Sequence, residues 1–385
     1  MFDGIGAELV WDGTDEIRIP ERMGEPRDDQ MGGTSAEQLT ELCGRCCYHS
    51  LGSKRSRPSS EYIKHILEVG HFSIAEHYNA TILLTSTSSS FIDMLSFVML
   101  NRPWVWVTPL SESSARITTN IRAAMEFDGW TVTLAQMMPE YPVSEASHLA
   151  AIIKSCWHGI APRFIKDPHP ISVSVALDML DIVSAEVVEP ETDAEKWISL
   201  YIYGSRGLTH ELVRHGDFTS ISQRSTRFVN ESKSPWTLHP LIQMYIREAS
   251  KVEQMIVHEE IKQFIDSAKD LYKIWVKRLI PFVKLKIDPE EPYAKTTARK
   301  QARGAARGLL GNALETELIF SANVMQWKHM VKMRAADAAD GEIRFCFQKI
   351  IEALRTSRYA DSFVGIQLAP SVDGIGMSLT GGGAA

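Results

Sequence analysis

Arginines, histidines and hydroxyls crowd one stretch of this sequence, "THELVRHGDFTSISQRSTRFVNES", from Thr209 to Ser232. Arg214 and Arg227 can each grip a phosphate through two parallel N–H bonds, while Ser222, Ser225 and Thr226 add hydroxyl donors. Such a loop suits a nucleoside monophosphate, although a solvated basic loop has the same composition. "GHFSIAEH" supplies His71, Ser73, Glu76 and His77 between a helix end and a strand, where Glu76 and His77 could serve as metal ligands or hydrogen-bond acceptors. A satisfied structural turn is the plainer reading of those eight residues. "KTTARKQARGAARG" sets Lys295, Arg299, Arg303 and Arg307 at four-residue steps, one helical face with no acid to neutralise it. "SANVMQWKHMVKMRAADAADGEIR" carries Asn323, His329 and Arg334, with Trp327, Met330 and Val331 as core. A semi-buried Arg334 needs an anionic partner.

The elements that must hold these groups are partly legible. "SAEQLTELCGRCCYHS" has helical spacing with Ser35 as a cap, and "SSEYIKHILEVG" predicts a helix ended by Gly70. "YNATILLTSTS", "WISLYIYGS" and "ELIFSAN" predict strands. The region 241–285 is helical by periodicity, "ARKQARGAARGLL" begins another helix, and "VMQWKHMVKMRAADAADGEIRFCFQKIIEAL" predicts a single long one. Residues 1–33 are expected to be a partly ordered lead-in, and 88–197 a stretch of helices and loops. "SLTGGGAA" is low-complexity, so a disordered tail is expected over 376–385.

The totals bound the function. A chain of 385 residues with 44% hydrophobic and 23% charged residues has the composition of a globular protein. Its net charge of −7 makes a nucleic-acid partner unexpected and any anion site local. No run of about 18 apolar residues offers a membrane span, and the opening lacks a basic region followed by an apolar core. A cytoplasmic location without membrane association is expected. Three of the five cysteines cluster as Cys43, Cys46 and Cys47, but no second Cys/His pair follows at zinc spacing, so reduced cysteines packed on a helix are expected and no metal site. The sequence has no GxGxxG opening a helix, no GxxxxGK[ST] and no HExxH.

Taken together, "ELCGRCCYHS", "YIKHILEVGHFSIAEH", "SRGLTHELVRHGDFTSISQRSTRFV" and "ARKQARGAARGLLGNALETELIFSANVMQWKHMVKMRAADAADGEIR" resemble, in order, the blocks of the flavin-dependent thymidylate synthases. They cover about half the chain, and the combination is specific where no single block is. The resemblance implies an α+β fold with a central, mostly antiparallel sheet flanked by helices. It reads 34–375 as one catalytic domain carrying a large, mostly helical insertion at about 88–197. It also implies a homotetramer with active sites at subunit interfaces, binding FAD and uridylate. Methylenetetrahydrofolate would give the carbon to C5 of the uracil, and FAD reduced by NADPH would give the hydride, so no cysteine nucleophile is required.

Residue by residue, the resemblance assigns His71, Ser73, Glu76, Arg214, His215, Gly216, Asn323, Met325 and His329 to the flavin side. Glu211, Arg214, Gln223, Arg224, Ser225, Thr226, Arg227 and Arg307 fall on the nucleotide side. Arg334 falls on the arginine that contacts the uracil ring, where it would stabilise developing negative charge, and Ser225 is grouped with it as catalytic. The departures are informative. The family's Arg-His-Arg reads Arg214-His215-Gly216, one extra residue precedes Ser225, and its Asn-x-Arg reads Asn323-Val324-Met325. "TTNIRAAMEF", with Asn120 and Arg122, echoes "SANVMQWKHM"; it is read as chance similarity, with a replacement cation as the other possibility. The losses point to the branch of polyoxin-type nucleoside antibiotic pathways that methylates UMP as well as dUMP, with Gly216 leaving room for a ribose 2′-hydroxyl. A uridylate hydroxymethylase, a strict dUMP-specific synthase and a non-catalytic nucleotide- or RNA-binding relative stand as alternatives.

Overall fold

Two four-stranded antiparallel sheets, each with its own helices, organise the chain. The computed structural model describes residues 3–99, 102–165, 169–216, 218–288, 290 and 293–380. In chain order, β1 (Gly6–Trp11) precedes α1 (Ser35–Tyr48), α2 (Ser59–Val69), a 3₁₀ turn at Phe72–Glu76, β2 (Asn79–Ser86), α3 (Phe91–Val98), β3 (Trp106–Ser111), β4 (Ser114–Asn120), α4 (Ile121–Met137) and α5 (Val143–Ile160). There follow α6 (Val173–Met179), β5 (Ile182–Val188), β6 (Trp197–Ser205), α7 (Arg206–Leu212) and β7 (Thr219–Gln223). The remainder is α8 (Pro240–Glu248), α9 (Lys251–Lys284), α10 (Ala294–Ala306), β8 (Glu315–Asn323), α11 (Val324–Arg334), α12 (Gly341–Leu354), β9 (Leu368–Pro370) and β10 (Met377–Leu379).

The sheets run β5-β2-β4-β3 and β1-β6-β8-β7, and their equivalence extends to single residues. Asn79 faces Asn120 where the first central pair begins, as Trp197 faces Asn323 in the second. Counting from those anchors, Trp106 opposite Thr118 matches Ser220 opposite Ser321. On the other edge, Ala185 and Glu186 opposite Leu84 and Leu83 match Ala7 and Glu8 opposite Ile202 and Tyr201. Asn120 and Asn323 each cap the following helix, accepting from Ala123 N and Gln326 N. Trp104 and Phe218, each two residues ahead of a matched position, both hold positive φ, at 59° and 51°. Bulky side chains seldom adopt that backbone, so its recurrence at matched positions is a repeat and not an accident. The echo between "TTNIRAAMEF" and "SANVMQWKHM" is therefore not chance: the chain contains one fold unit twice, with edge strands β1 and β5 exchanged.

Each unit has its own core. Ile82, Leu84, Ala115 and Ile117 pack on Phe91, Phe127, Leu149 and Trp157 in the first. Ile198, Leu200, Ile202, Leu318 and Phe320 pack on Trp327, Phe347 and Ile350 in the second. The central strand β6 is buried on both faces, because Trp197 and Tyr201 point the other way, onto Leu39, Leu42, Cys43 and Cys46 of α1. Burial holds these thiols protonated, that of Cys47 pushed up to about 11.

Several expectations are corrected. The lead-in contains β1, whose Leu9, Val10 and Trp11 are buried. The cap of α1 is Thr34, not Ser35, through a capping box with Glu37. The long terminal helix is two, because Asp340 turns its side chain to Glu342 N and starts α12 afresh. The stretch 88–197 carries helices but also β3, β4 and β5, which complete the first unit's sheet. Met377–Leu379 pair with Leu368–Pro370, so 376–380 is ordered, and 381–385 lies outside the described residues.

His77, considered a ligand from the sequence, instead ties the turn before β2 to the second sheet. Its Nδ1 meets Ser321 Oγ at 2.7 Å and its Nε2 meets Ser222 Oγ at 2.9 Å. Full burial pushes its pKa down to about 3. In the unfolded chain it takes up a proton below about pH 6.5, while the folded chain stays neutral until about 3. His77 stabilisation is thus complete above pH 6.5 and is lost on acidification, at about 1.4 kcal/mol per pH unit. Urea unfolding at pH 7, 6 and 5 should show that slope, and His77→Gln should flatten it; equal slopes would refute the assignment.

Candidate functional site

Helix α7 carries a charged group at each end, and the expected site residues sort themselves along it. At its C-terminal end, Glu211 receives Arg334 Nη1 at 2.7 Å and lies 3.3 Å from Arg214. Arg334 reaches this point from the end of α11 and also donates Nε–H to His215 Nε2 at 2.9 Å. Burial first, and the neighbouring Arg334 second, hold His215 below its usual pKa, so the neutral ring can accept that bond. His329, one turn back on α11, stands edge-on to His215 with ring centres 6.5 Å apart. Arg334 is thereby fixed from two sides while remaining partly accessible.

At the other end, Arg206 begins α7, close to Arg307. It is half-buried, with no ion-pair partner among the described residues, and burial followed by Arg307 lowers its pKa. Arg307 donates to Thr226 Oγ1 at 3.3 Å, and Arg303 holds the carbonyl of Phe228. Arg227 lies exposed against Gly304 of α10. Ser225 stays in the turn, its N–H bonded to Cys47 O and its Oγ accepting from Arg227 N. Gln223 ties this strand to α7 through Thr209. A half-buried cation outside any ion pair among the described residues, with a second arginine and the Thr226 hydroxyl nearby and only Glu231 pulling against them, has the chemistry to accept an anion. From Arg206 to Glu211 the helix rises about 7.5 Å, a span comparable with a nucleotide from phosphate to base. Arg206 escaped the sequence reading because it sits outside the loop motif; an arginine opening a helix straight after a strand was its only signal.

Other expected residues lie elsewhere. Arg224 is buried and turned inward to Glu231, Glu317 and the carbonyl of Glu315, so it braces the strand and is not open to a ligand. Asn323 is fully buried, with its amide spent on Gln326 N and Ala194 O. His71 lies across Tyr48 in a groove of about 610 Å³ with Lys300 and Phe228. Ser73 is half-buried on the 3₁₀ turn. Glu76 meets Arg122 at 2.5 Å at the junction of the two sheets, where burial raises its pKa against the pull of that arginine. The strand register makes Arg122 the counterpart of Met325, and Arg102 the counterpart of Gly216. Both cations missing from the second unit therefore persist in the first. Arg102 is locked onto Val98, Phe127, Thr131 and Tyr141, and Arg122 onto Glu76, Glu126 and the ring of Trp104.

A cavity of about 320 Å³ opens at this junction, walled by Trp104, Trp106, Trp197 and Phe218 and reaching Gly216. Aromatic walls suit a planar ring, and the indole N–H of Trp197 is buried without a hydrogen-bond partner. Among the described residues, its chain neighbours aside, nothing lies within 4 Å of where a side chain on Gly216 would begin. Met325 is exposed at the start of α11. Among the described residues no group of three or more His, Cys, Asp or Glu could hold a metal ion, and no helix is long and apolar enough to cross a membrane.

Comparison with known proteins covers the same stretch of the chain. The model of the family described as "Thymidylate synthase complementing protein" matches residues 197–357, from the first residue of β6 to just past α12. The flavin-dependent thymidylate synthase of Mycobacterium sp. (strain KMS) is 33% identical over 190 residues, 48% of this chain and 67% of that protein. Those of Mycobacterium avium (strain 104) and Corynebacterium glutamicum are each 36% identical, over 182 and 163 residues, covering 46% and 42% of this chain and 64% and 58% of theirs. With the shared stretch spanning the arginine loop, α10 and Arg334, the chain belongs to the flavin-dependent thymidylate synthase family.

Proposed function

We propose that this protein methylates C5 of a uridylate, taking the carbon from methylenetetrahydrofolate and the hydride from FAD reduced by NADPH. The observation that carries the reading is the pairing of two neighbouring cations, Arg206 and Arg307, neither held in an ion pair among the described residues, with a doubly anchored Arg334 at the opposite end of one short helix. Arg206, Arg227 and Arg307 hold the phosphate with the Thr226 hydroxyl. Arg334 stabilises negative charge on the pyrimidine as C5 becomes nucleophilic. Neutral His215 and exposed His329 line the approach beside it, and the aromatic cavity at Gly216 offers room for a planar ring. When bound, the flavin supplies the hydride, which fits a chain in which Cys43, Cys46, Cys47 and Cys346 are buried and burial raises the pKa of each thiol.

The open space at Gly216 supports acceptance of UMP beside dUMP, as in the antibiotic-pathway branch of the family. Purified protein given both nucleotides with methylenetetrahydrofolate, NADPH and FAD should methylate both. Gly216→Arg should lower UMP turnover against dUMP by roughly tenfold. UMP neither bound nor methylated by the natural chain would sink the broader specificity, and a product heavier by one oxygen would identify hydroxymethylation instead. The tetramer implied by the resemblance takes a different form in this reading: with two fold units per chain, four units need two chains.

A further inference from the structure

Helix α9 runs for 34 residues, about 51 Å, yet buries only Ala268 and Tyr272. The side packed on the protein carries Val257, Ile261, Ile265, Ala268, Tyr272 and Val276 at helical spacing. A second, outward stripe carries Ile256, Phe264, Leu271, Ile274, Trp275 and Phe282; Phe264 is 60% exposed and Phe282 58%. A face of that length and about 10 Å width is on the order of 500 Å², at the upper end of what a monomer leaves bare. Among the described residues Trp236 stands edge-on to Phe264, ring centres 5.8 Å apart, while the rest of the stripe stays exposed. The first unit has no counterpart of α8 to α10, since β3 and β4 are joined there by Glu112 and Ser113 alone.

The stripe is complementary to itself. Two charges interrupt it, Glu260 and Arg278, nine residues before and nine after position 269. Neither has an ion-pair partner among the described residues; Arg278 only rests over Trp275 of its own helix. Phe264 and Ile274 lie five residues either side of the same point, and Ile256 and Phe282 thirteen. Small Ser267 lies near the middle, where two helices could approach closely. The flanking charges follow the same symmetry. Glu253, Glu259, Glu260 and Asp266 outnumber Lys251 and Lys262 in the first half. Lys269, Lys273, Lys277, Arg278 and Lys284 outnumber Asp270 in the second. A parallel pair would set acid on acid and base on base, whereas an antiparallel pair sets each on its opposite.

We infer that two copies of this chain assemble through α9, packed antiparallel about a two-fold axis at position 269, with Glu260 of one copy opposite Arg278 of the other. Such an isologous contact closes at two chains and cannot propagate. Sedimentation and native mass measurement of the full chain test it. The natural protein should give twice the 43.2 kDa chain mass, and Phe264→Glu should give single chains with unchanged helical circular dichroism. Glu260→Arg should weaken self-association at least tenfold, and Glu260→Arg with Arg278→Glu should restore it, a rescue that general surface damage cannot produce. A natural chain that sediments alone, an assembly indifferent to Phe264→Glu, or a double charge exchange no better than the single one would overturn the contact.

Discussion

Arg334→Ala is expected to lower turnover by about 100- to 1000-fold, the usual cost of removing one preorganised donor from a site of developing negative charge. The loss should fall on kcat more than on KM, because the interaction strengthens as the pyrimidine gains charge. Two contacts make the effect large. His215 and Glu211 hold the guanidinium in place before substrate arrives, so no reorganisation is needed. Removing the arginine also leaves the Glu211 carboxylate facing the ring with its charge uncompensated except by exposed Arg214. Arg334→Lys should recover little, since a point charge cannot meet Glu211 and His215 through a rigid fork. A flavin absorption band that persists in the variant separates lost chemistry from lost folding. Activity near that of the natural protein would remove Arg334 from the mechanism.

Arg227→Ala is expected to weaken uridylate binding by about 1.5 to 3 kcal/mol, roughly 10- to 150-fold, through loss of one charge-assisted bond to phosphate. Its side chain is exposed and makes no ion pair among the described residues, so the change costs the fold little and appears in the binding constant. Calorimetric titration with dUMP, checked against the unfolding midpoint, measures both. The deoxynucleoside should bind the variant and the natural protein alike, since it lacks the phosphate. Unchanged dUMP affinity would move the phosphate elsewhere.

The chemistry was more legible in the sequence than the architecture. Arg214, Arg227, Arg307 and Arg334 stand out by residue type among hydroxyls and small side chains, and α2, α9, β6 and β8 follow from apolar periodicity. Short strands were missed: β1, β3 and β5 have six or seven residues and little alternation to distinguish them from loops. The terminal helix was read as one because "AADAAD" favours a helix, and only the turn of Asp340 onto Glu342 N breaks it. Arg224 and Arg227, three residues apart in one motif, could not be told apart by type. Burial against Glu231 and Glu317 made one a brace and left the other at the surface.

By itself the sequence determined which side-chain types are at hand to meet an anion and how they are spaced, since residue type and local spacing fix charge and reach. It also held the repeat, as ten residues around Asn120 that echo ten around Asn323, but so short a likeness carries no weight in one dimension. Only the tertiary structure decided that the two are equivalent, because hydrogen-bond register ties positions over 200 residues apart to the same point of two sheets. It likewise decided that Arg122 answers to Glu76 and that one face of α9 is bare. Contact and burial depend on what the rest of the chain brings alongside.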